Sequence, residues 1–313
     1  MSKIEEIKKE VVKIFNNNWN KQVILYGPPG TSKTYLAQKI AKEFLEVKDL
    51  NTCPNYKLVQ FHPSYSYEDF VRGITAKTEN GNIEYKTVSK IFEEFCSNNS
   101  GKKVLIIDEI NRAPLASVLG ELIYGLEYRG QPITTPYQLD ENKNKPLIVP
   151  EDLYIIGTMN TADRSIGSID YAVRRRFAFV QVRSSDDKIK ESWKDEKLGE
   201  KAFKLYDELI NSEEGIEKGI FAKDKLADNE IDVEDIKIGH TYFLGLKEKI
   251  DDNNNEKFVE SEDYLEYKMK YQVRPIYMEY IKDGIISPGS EKDFDKIVRK
   301  YLPSWPYDVT ISK

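Results

Sequence analysis

Five short apolar runs limit what this chain can fold into. They are Gln22–Tyr26, Lys57–Phe61, Val104–Asp108, Tyr154–Asn160 and Phe177–Val182, and segments of helical period lie between them. Continuous apolar strands alternating with helices predict an α/β fold, with a parallel sheet covered by helices on both faces. Ligands in such sheets sit beyond the carboxyl ends of the strands. Three of these runs end in chemically loaded residues: a Gly/Pro turn after Tyr26, Asp108-Glu109 after Ile107, and Asn160 after Met159.

The first element is predicted as an amphipathic helix. Ser2 and Glu5 have capping-box spacing, Ile4, Ile7, Val11, Ile14 and Phe15 follow a helical period, and Asn16-Asn17-Asn18 ends the pattern. A second helix is expected from about Lys33 to Leu45. Two hairpins interrupt the alternation. One turns at Asn80-Gly81, between Ile74-Thr75 and Ile83-Tyr85; the other spans Gln131 to Val149 with a polar tip. Beyond Arg183, short helical patterns and solvated loops dominate. The expected division is a large α/β nucleotide-binding subdomain over 1–183 and a smaller, mostly helical subdomain over 184–313.

Gly27-Pro28-Pro29-Gly30-Thr31-Ser32-Lys33-Thr34 follows a strand and opens a helix, the context of a phosphate-binding P-loop. Backbone N–H groups and the helix N-terminus offer positive charge to β- and γ-phosphates. Lys33 would reach those phosphates, and the Thr34 hydroxyl would bind Mg²⁺. Tyr35, the next residue, joins the candidate nucleotide contacts. Ser32 stands where such loops usually have a second glycine, and its Cβ crowds the backbone's approach to phosphate. The run Lys103 to Glu109 supplies the complementary half. Asp108 can hold the metal's hydration shell and Glu109 can polarise an attacking water.

Asn160 suits a residue that orients water against the γ-phosphate. Asp163 and Arg164 fit an ion pair fixing the loop, and Asp163 or Ser165 equally fits a helix N-cap. Arg174-Arg175-Arg176 fits two descriptions: basic residues complementing a helix C-terminus, or an arginine finger reaching a neighbouring subunit's nucleotide. Beside a full hydrolysis set, the finger is the expectation.

Taken together, GPPGTSKT, LIIDEINRA, MNTADRS and the ending RRRF resemble the McrB-type AAA+ motors of methylation-dependent restriction systems. Phe61 to Ile74 (FHPSYSYEDFVRGI), Ile238 to Leu244 (IGHTYFL) and the later YQVRPIYMEY look like the same family, so the resemblance spans most of the chain. It implies an AAA+ P-loop NTPase with a helical lid. It further implies a homo-hexameric ring that hydrolyses GTP rather than ATP and drives a McrC-like endonuclease subunit, with DNA contacted mainly through the partner or another domain. By the same resemblance Arg175 is the finger supplied in trans, with Arg176 or Asp170 supporting it, and His240 of IGHTYFL stands near the nucleotide or makes a helix-terminal hydrogen bond. Only 26 residues precede Gly27. No room is left for the N-terminal recognition domain of family members that read modified DNA, so a motor-only subunit, a short isoform or an excised motor domain is expected.

Composition agrees with this assignment and excludes others. A net charge of −6 argues against broad wrapping on nucleic acid. Two cysteines without CxxC spacing predict neither a disulfide framework nor a zinc site, and fit a reducing cytoplasm. The charged N-terminus lacks a signal core, and no run approaches the ~18 apolar residues of a membrane span. His62 and His240 lack metal-ligand spacing. Tyr65, Tyr67 and Phe70 are expected in the core rather than stacked on bases. Two alternatives remain. One is an ATP-dependent remodelling chaperone of the MoxR sort, which MNTADRS argues against. The other is a nucleotide-binding structural subunit without hydrolysis, supported by Ser32 alone and opposed by Glu109 and Asn160.

Overall fold

The computed structural model describes residues 2–79, 82–97, 101–140, 145–162, 169–211, 220–221, 226, 232–245 and 261–307. By internal contacts the chain divides into two units. One comprises Lys3–Tyr26 and Lys33–Val182; the other comprises Gly27–Ser32 and Arg183–Lys313.

In the first unit α1 (Lys3–Asn16) leads to β1 (Gln22–Gly27), α2 (Lys33–Phe44), β2 (Tyr56–Gln60), α3 (Tyr67–Phe70), β3 (Arg72–Glu79) and β4 (Asn82–Ser89). There follow α4 (Ile91–Ser97), β5 (Lys103–Asp108), α5 (Leu115–Leu119), α6 (Leu122–Glu127), β6 (Leu153–Asn160), α7 (Tyr171–Arg174) and β7 (Ala178–Gln181). The five apolar runs form one sheet in the order β2-β5-β6-β1-β7. The pairs β2–β5, β5–β6 and β1–β7 are parallel.

Alternation along the strands builds a core on each face. Val23, Leu25, Val104, Ile106, Tyr154 and Ile156 pack with Val11 and Phe15 of α1 and Leu36, Ile40 and Phe44 of α2. Ile24, Leu105, Ile107, Leu153 and Ile155 pack with Phe61, Phe70, Phe92 and Val118 on the other face. Each such aliphatic or aromatic side chain contributes about 1.5–3 kcal/mol on burial, which makes this sheet the main source of stability. Tyr65 and Phe70 are core residues and Tyr67 packs at the core's margin, as expected. The helix α1 stops where the asparagines begin, with Asn18 in the left-handed region at φ +51°, a conformation asparagine tolerates better than most residues.

The first expected hairpin is present: β3 and β4 are antiparallel and pair Glu79 with Asn82 across Asn80-Gly81, which lie outside the described residues. Its base is fixed by Arg72, whose Nε and Nη2 each donate to the Glu93 carboxylate at 2.7 Å. Both side chains are buried, and Arg72 also donates to the carbonyls of Tyr137 and Lys145, so the guanidinium is well satisfied away from water. The second expected hairpin is seen in part, as antiparallel pairing at its base, where the Gly130 N–H also donates to the Val149 carbonyl at 2.9 Å. Among the described residues of 131–149 only Ile133 and Leu147 form a β-bridge. The side chains of Ile133, Leu147 and Val149 go into the core, and Arg72 takes up the Tyr137 and Lys145 carbonyls.

The second unit is mainly helical in its described residues: α8 (Glu196–Tyr206), α9 (Glu262–Lys268), α10 (Arg274–Lys282) and α11 (Glu291–Tyr301), with a π-helical turn, Met269–Val273, joining α9 to α10. Its core holds Tyr206 edge-on to Phe243 and Tyr277 stacked on Phe294. The Trp193 indole donates to the Phe243 carbonyl at 2.9 Å. No helix among the described residues is long and apolar enough to cross a membrane.

Candidate functional site

The sheet order puts β6 between β1 and β5. The carboxyl ends of three strands are therefore neighbours, and the loaded residues found in the sequence meet there. Thr34, in the first turn of α2, donates its hydroxyl to Asp108 Oδ1 at 2.7 Å. Asn160 donates from Nδ2 to Glu109 Oε1 at 2.7 Å. Arg112 donates to the other oxygen of Glu109 at 3.2 Å. Glu109 has φ +53° and ψ +45°, a left-handed conformation that costs an L-residue about 1–2 kcal/mol. Lys33 is buried, and burial pushes its ammonium down to about 8 against the upward pull of Glu109 and Asp108.

Within the second unit, Gly27–Ser32 is backed by the segment 239–242. Gly239 N–H donates to the Pro29 carbonyl at 2.9 Å. Thr241 donates to the Gly30 carbonyl from its backbone at 3.1 Å and from its hydroxyl at 2.8 Å. The approach is close enough that a Cβ on Gly239 would sit 2.0 Å from the Gly30 carbonyl group, and one on Gly30 (φ +77°) would sit 2.4 Å from the Tyr242 ring. Thr31 is buried and donates its hydroxyl to the Pro28 carbonyl.

Ser32 adopts φ +66°, the backbone a glycine would favour. Its Oγ lies 3.2 Å from His240 Nε2. His240 Nδ1 accepts from the Ser185 N–H at 3.2 Å, which leaves the ring proton on Nε2 to be donated to Ser32. Burial holds this imidazole neutral, pushing its pKa down to about 4. His240 thus begins a 3₁₀ turn, His240–Phe243, and ties it to the loop through Ser32.

The three arginines separate. Arg175 is 66% exposed in its side chain and lies 3.4 Å from Glu127. Arg176 is only 11% exposed, pairs with Glu127 at 2.5 Å and donates to the Ala172 carbonyl. Its own carbonyl accepts from Gln22 Nε2 at 3.1 Å, which ties it to the start of β1. Asp170 caps α7, its carboxylate accepting from Ala172 N–H at 2.6 Å. The Arg174 guanidinium lies over the Phe179 ring. Tyr35 is exposed, with the Lys39 ammonium 4.8 Å from its ring centroid. Asp163, Arg164 and Ser165 lie outside the described residues.

Residues 22–177 match the model of the AAA domain, dynein-related subfamily. Over 173 residues the chain is 42% identical to the type IV methyl-directed restriction enzyme EcoKMcrB subunit of Escherichia coli (strain K12), covering 53% of this chain and 36% of that subunit. The chain carries the AAA+ P-loop NTPase fold. A second curated relative is the type II restriction enzyme BsuMI component YdiS of Bacillus subtilis (strain 168), 28% identical over 210 residues, 55% of this chain and 60% of that protein. The chain therefore spans less than two thirds of the length of either relative. Among solved structures, the Thermotoga maritima RuvB Holliday junction branch migration motor aligns at 16% identity and a TM-score of 0.38, over 64% of this chain and 55% of that one.

Several partners of the site residues escape sequence reasoning. Thr158, Ser185, Thr241 and Glu127 all bond to residues singled out above. Thr158 left one trace, a hydroxyl interrupting the apolar run of β6.

Proposed function

We propose that this chain is the nucleoside-triphosphate-hydrolysing motor of a restriction system, that it prefers GTP, and that it works as a ring of six with a McrC-like endonuclease. The observation that carries this reading is the joined cluster Thr34–Asp108 and Glu109–Asn160 at adjacent strand ends. A hydroxyl and a carboxylate 2.7 Å apart are hard oxygen donors; they suit Mg²⁺, which takes one or two protein oxygens and leaves its other positions to water and phosphate. When bound, that ion would neutralise charge on the β- and γ-phosphates.

The other roles belong to the protein. The loop Gly27–Ser32 cradles the phosphates and Lys33 regains its full charge against them. Glu109 accepts a hydrogen bond from the attacking water, and Asn160 holds the Glu109 carboxylate and that water in line. Residues 184–313 serve as the smaller helical subdomain of this motor class. Similarity to the McrB subunit and to the BsuMI component supports the restriction setting; the GTP preference rests on the resemblance carried by GPPGTSKT, LIIDEINRA and MNTADRS.

Arg175 acts in trans. Arg176 bonds the start of β1, and Ala178 pairs with Val23, so the arginines stand at the amino end of the sheet. Thr34, Asp108 and Asn160 lie at its carboxyl end, about 20 Å away along a six-residue strand. An exposed arginine so placed is out of reach of its own γ-phosphate and suits another copy's.

Turnover with GTP and ATP, measured side by side across protein concentration, tests base choice and assembly together. Specific activity should rise with concentration and favour GTP. Clear preference for ATP sinks the GTP assignment and points to a MoxR-like remodelling activity. Turnover independent of concentration sinks the ring.

A further inference from the structure

We infer that Thr158 is a positioning residue of the hydrolytic site: one hydroxyl that sets the metal-binding carboxylate and the water-polarising glutamate at once. The inference rests on the roles proposed for Asp108 and Glu109.

Three observations carry it. Thr158 is buried inside β6, where an apolar β-branched residue such as valine would satisfy the pattern of the strand. Its hydroxyl donates to Asp108 Oδ1 at 2.6 Å and accepts from the Glu109 N–H at 3.1 Å. Its single hydrogen and one of its lone pairs are thus committed to two adjacent residues of the site. The third observation is the backbone of Glu109, left-handed at φ +53° although glutamate has a Cβ. A residue held in so sparsely populated a region needs surroundings that over-determine it. Thr158 holds its amide, and Asn160 holds its carboxylate.

Spacing explains the economy. Thr158 and Asn160 are two apart in a strand, so they share a face of β6, and the β5–β6 register, which runs to Ile107 opposite Gly157, brings them beside Asp108 and Glu109. One strand therefore fixes both ends of Glu109. On the Asp108 side, Thr34 and Thr158 both donate to Oδ1. Two donors on one oxygen fix the carboxylate's rotation, and with it the direction in which the metal is held. Without the Thr158 hydroxyl, Asp108 can rotate and Glu109 can relax from its left-handed backbone.

The test compares Thr158→Val, which keeps the shape and removes the hydroxyl, with Thr158→Ser, which keeps the hydroxyl, in the full chain. Two readouts are taken: NTP turnover, and binding of a hydrolysis-resistant fluorescent GTP analogue and its ATP counterpart as Mg²⁺ is titrated. Thr158→Val should cut kcat by about 10- to 100-fold, on the scale of losing one positioned group, and raise the Mg²⁺ needed for half-maximal binding several-fold. Its binding in excess EDTA should stay within twofold of the parent. Thr158→Ser should restore both readouts to within about threefold.

Equal impairment of the two variants would assign Thr158 to packing and overturn the inference. So would a Thr158→Val chain with unchanged kcat and unchanged Mg²⁺ dependence. Glu109→Gln, run in parallel, keeps the two layers apart. If Glu109→Gln hydrolyses like the parent, the role proposed for Glu109 falls, while the Mg²⁺ titration still decides whether Thr158 orders Asp108.

Discussion

Ser32 and His240 form a pair whose energy can be measured, because the structure sets two opposed costs on one side chain. Replacing Ser32 by glycine removes the left-handed strain of φ +66°, a gain of about 1–2 kcal/mol. The greater backbone freedom of glycine in the unfolded chain returns about 0.5–1 kcal/mol of that. The same change strips the buried His240 Nε2–H of its acceptor, and an orphaned buried donor costs about 1–3 kcal/mol. The central values give a net loss of about 1 kcal/mol for Ser32→Gly alone. In a His240→Phe background there is no donor to orphan, and the same substitution should stabilise by a little under about 1 kcal/mol. The expected signature is a reversal of sign and a coupling near 2 kcal/mol, well outside the ~0.5 kcal/mol scatter of independent sites. Denaturant unfolding followed by tryptophan fluorescence suits the measurement, because Trp193 and Trp305 are both buried in the same unit as the pair. If Ser32→Gly has the same sign and size in both backgrounds, the hydrogen bond carries no energy and Ser32 is tolerated in its strained position for some other reason.

His240 also predicts an acid-sensitive fold. Its pKa is pushed from 6.5 down to about 4, so the unfolded chain takes up the proton first as pH falls. Stability present above pH 6.5 should then be lost progressively toward pH 4, by about 3 kcal/mol more than in His240→Phe; parallel stability curves for the two would refute this. Lys33, pushed down to about 8 by burial, should be recharged when phosphates bind, taking up about half a proton per nucleotide at pH 8. Calorimetry in two buffers of different ionisation enthalpy measures that uptake, and zero uptake counts against the Lys33 assignment. Arg175→Ala should leave stability within about 0.5 kcal/mol of the parent, bind nucleotide and fail to hydrolyse it. Arg176→Ala should lose about 1 kcal/mol of stability, because its own side chain is mostly buried although its partners Glu127 and the Ala172 carbonyl reach solvent. Unfolding midpoints and turnover, compared for the two, would refute the division if the effects were exchanged.

The sheet was legible in the sequence because its central strands, buried on both faces, need unbroken apolar runs, and little else explains Val104 to Ile107 or Tyr154 to Ile156. The ends of those strands were legible for the same reason: Asp108, Glu109 and Asn160 are polar residues placed where such a run stops. What stayed hidden was contact between residues distant in sequence. Nothing near Ser185 announces that its amide will meet His240, 55 positions on. Ser32 read as a defect in the loop, since the motif compares it with glycine and cannot show the imidazole beside it. The 131–149 segment read as a hairpin because its apolar residues flank a polar tip. Beyond the pairing at its base, its backbone is claimed by Arg72, whose own pairing with Glu93 spans 21 residues.

The triple arginine shows how a sheet assigns roles that spacing leaves open. In sequence Arg174, Arg175 and Arg176 are equivalent cations at a helix end. The fold gives each a different neighbour: Phe179 for Arg174, solvent and the rim of Glu127 for Arg175, and Glu127 with the Ala172 carbonyl for Arg176. Arg175 keeps two thirds of its side chain exposed, against about a tenth for Arg176. The strand order β5-β6-β1-β7 then places the P-loop strand between two strands with opposite duties. β6 brings Thr158 and Asn160 to the carboxyl end of the sheet, and β7 begins just after the arginines at the amino end. All five strands run the same way, so no rotation of a side chain exchanges those ends. On the roles proposed above, the two sets of residues at opposite ends of one sheet would serve two different nucleotides, the second of them held by another copy of the chain.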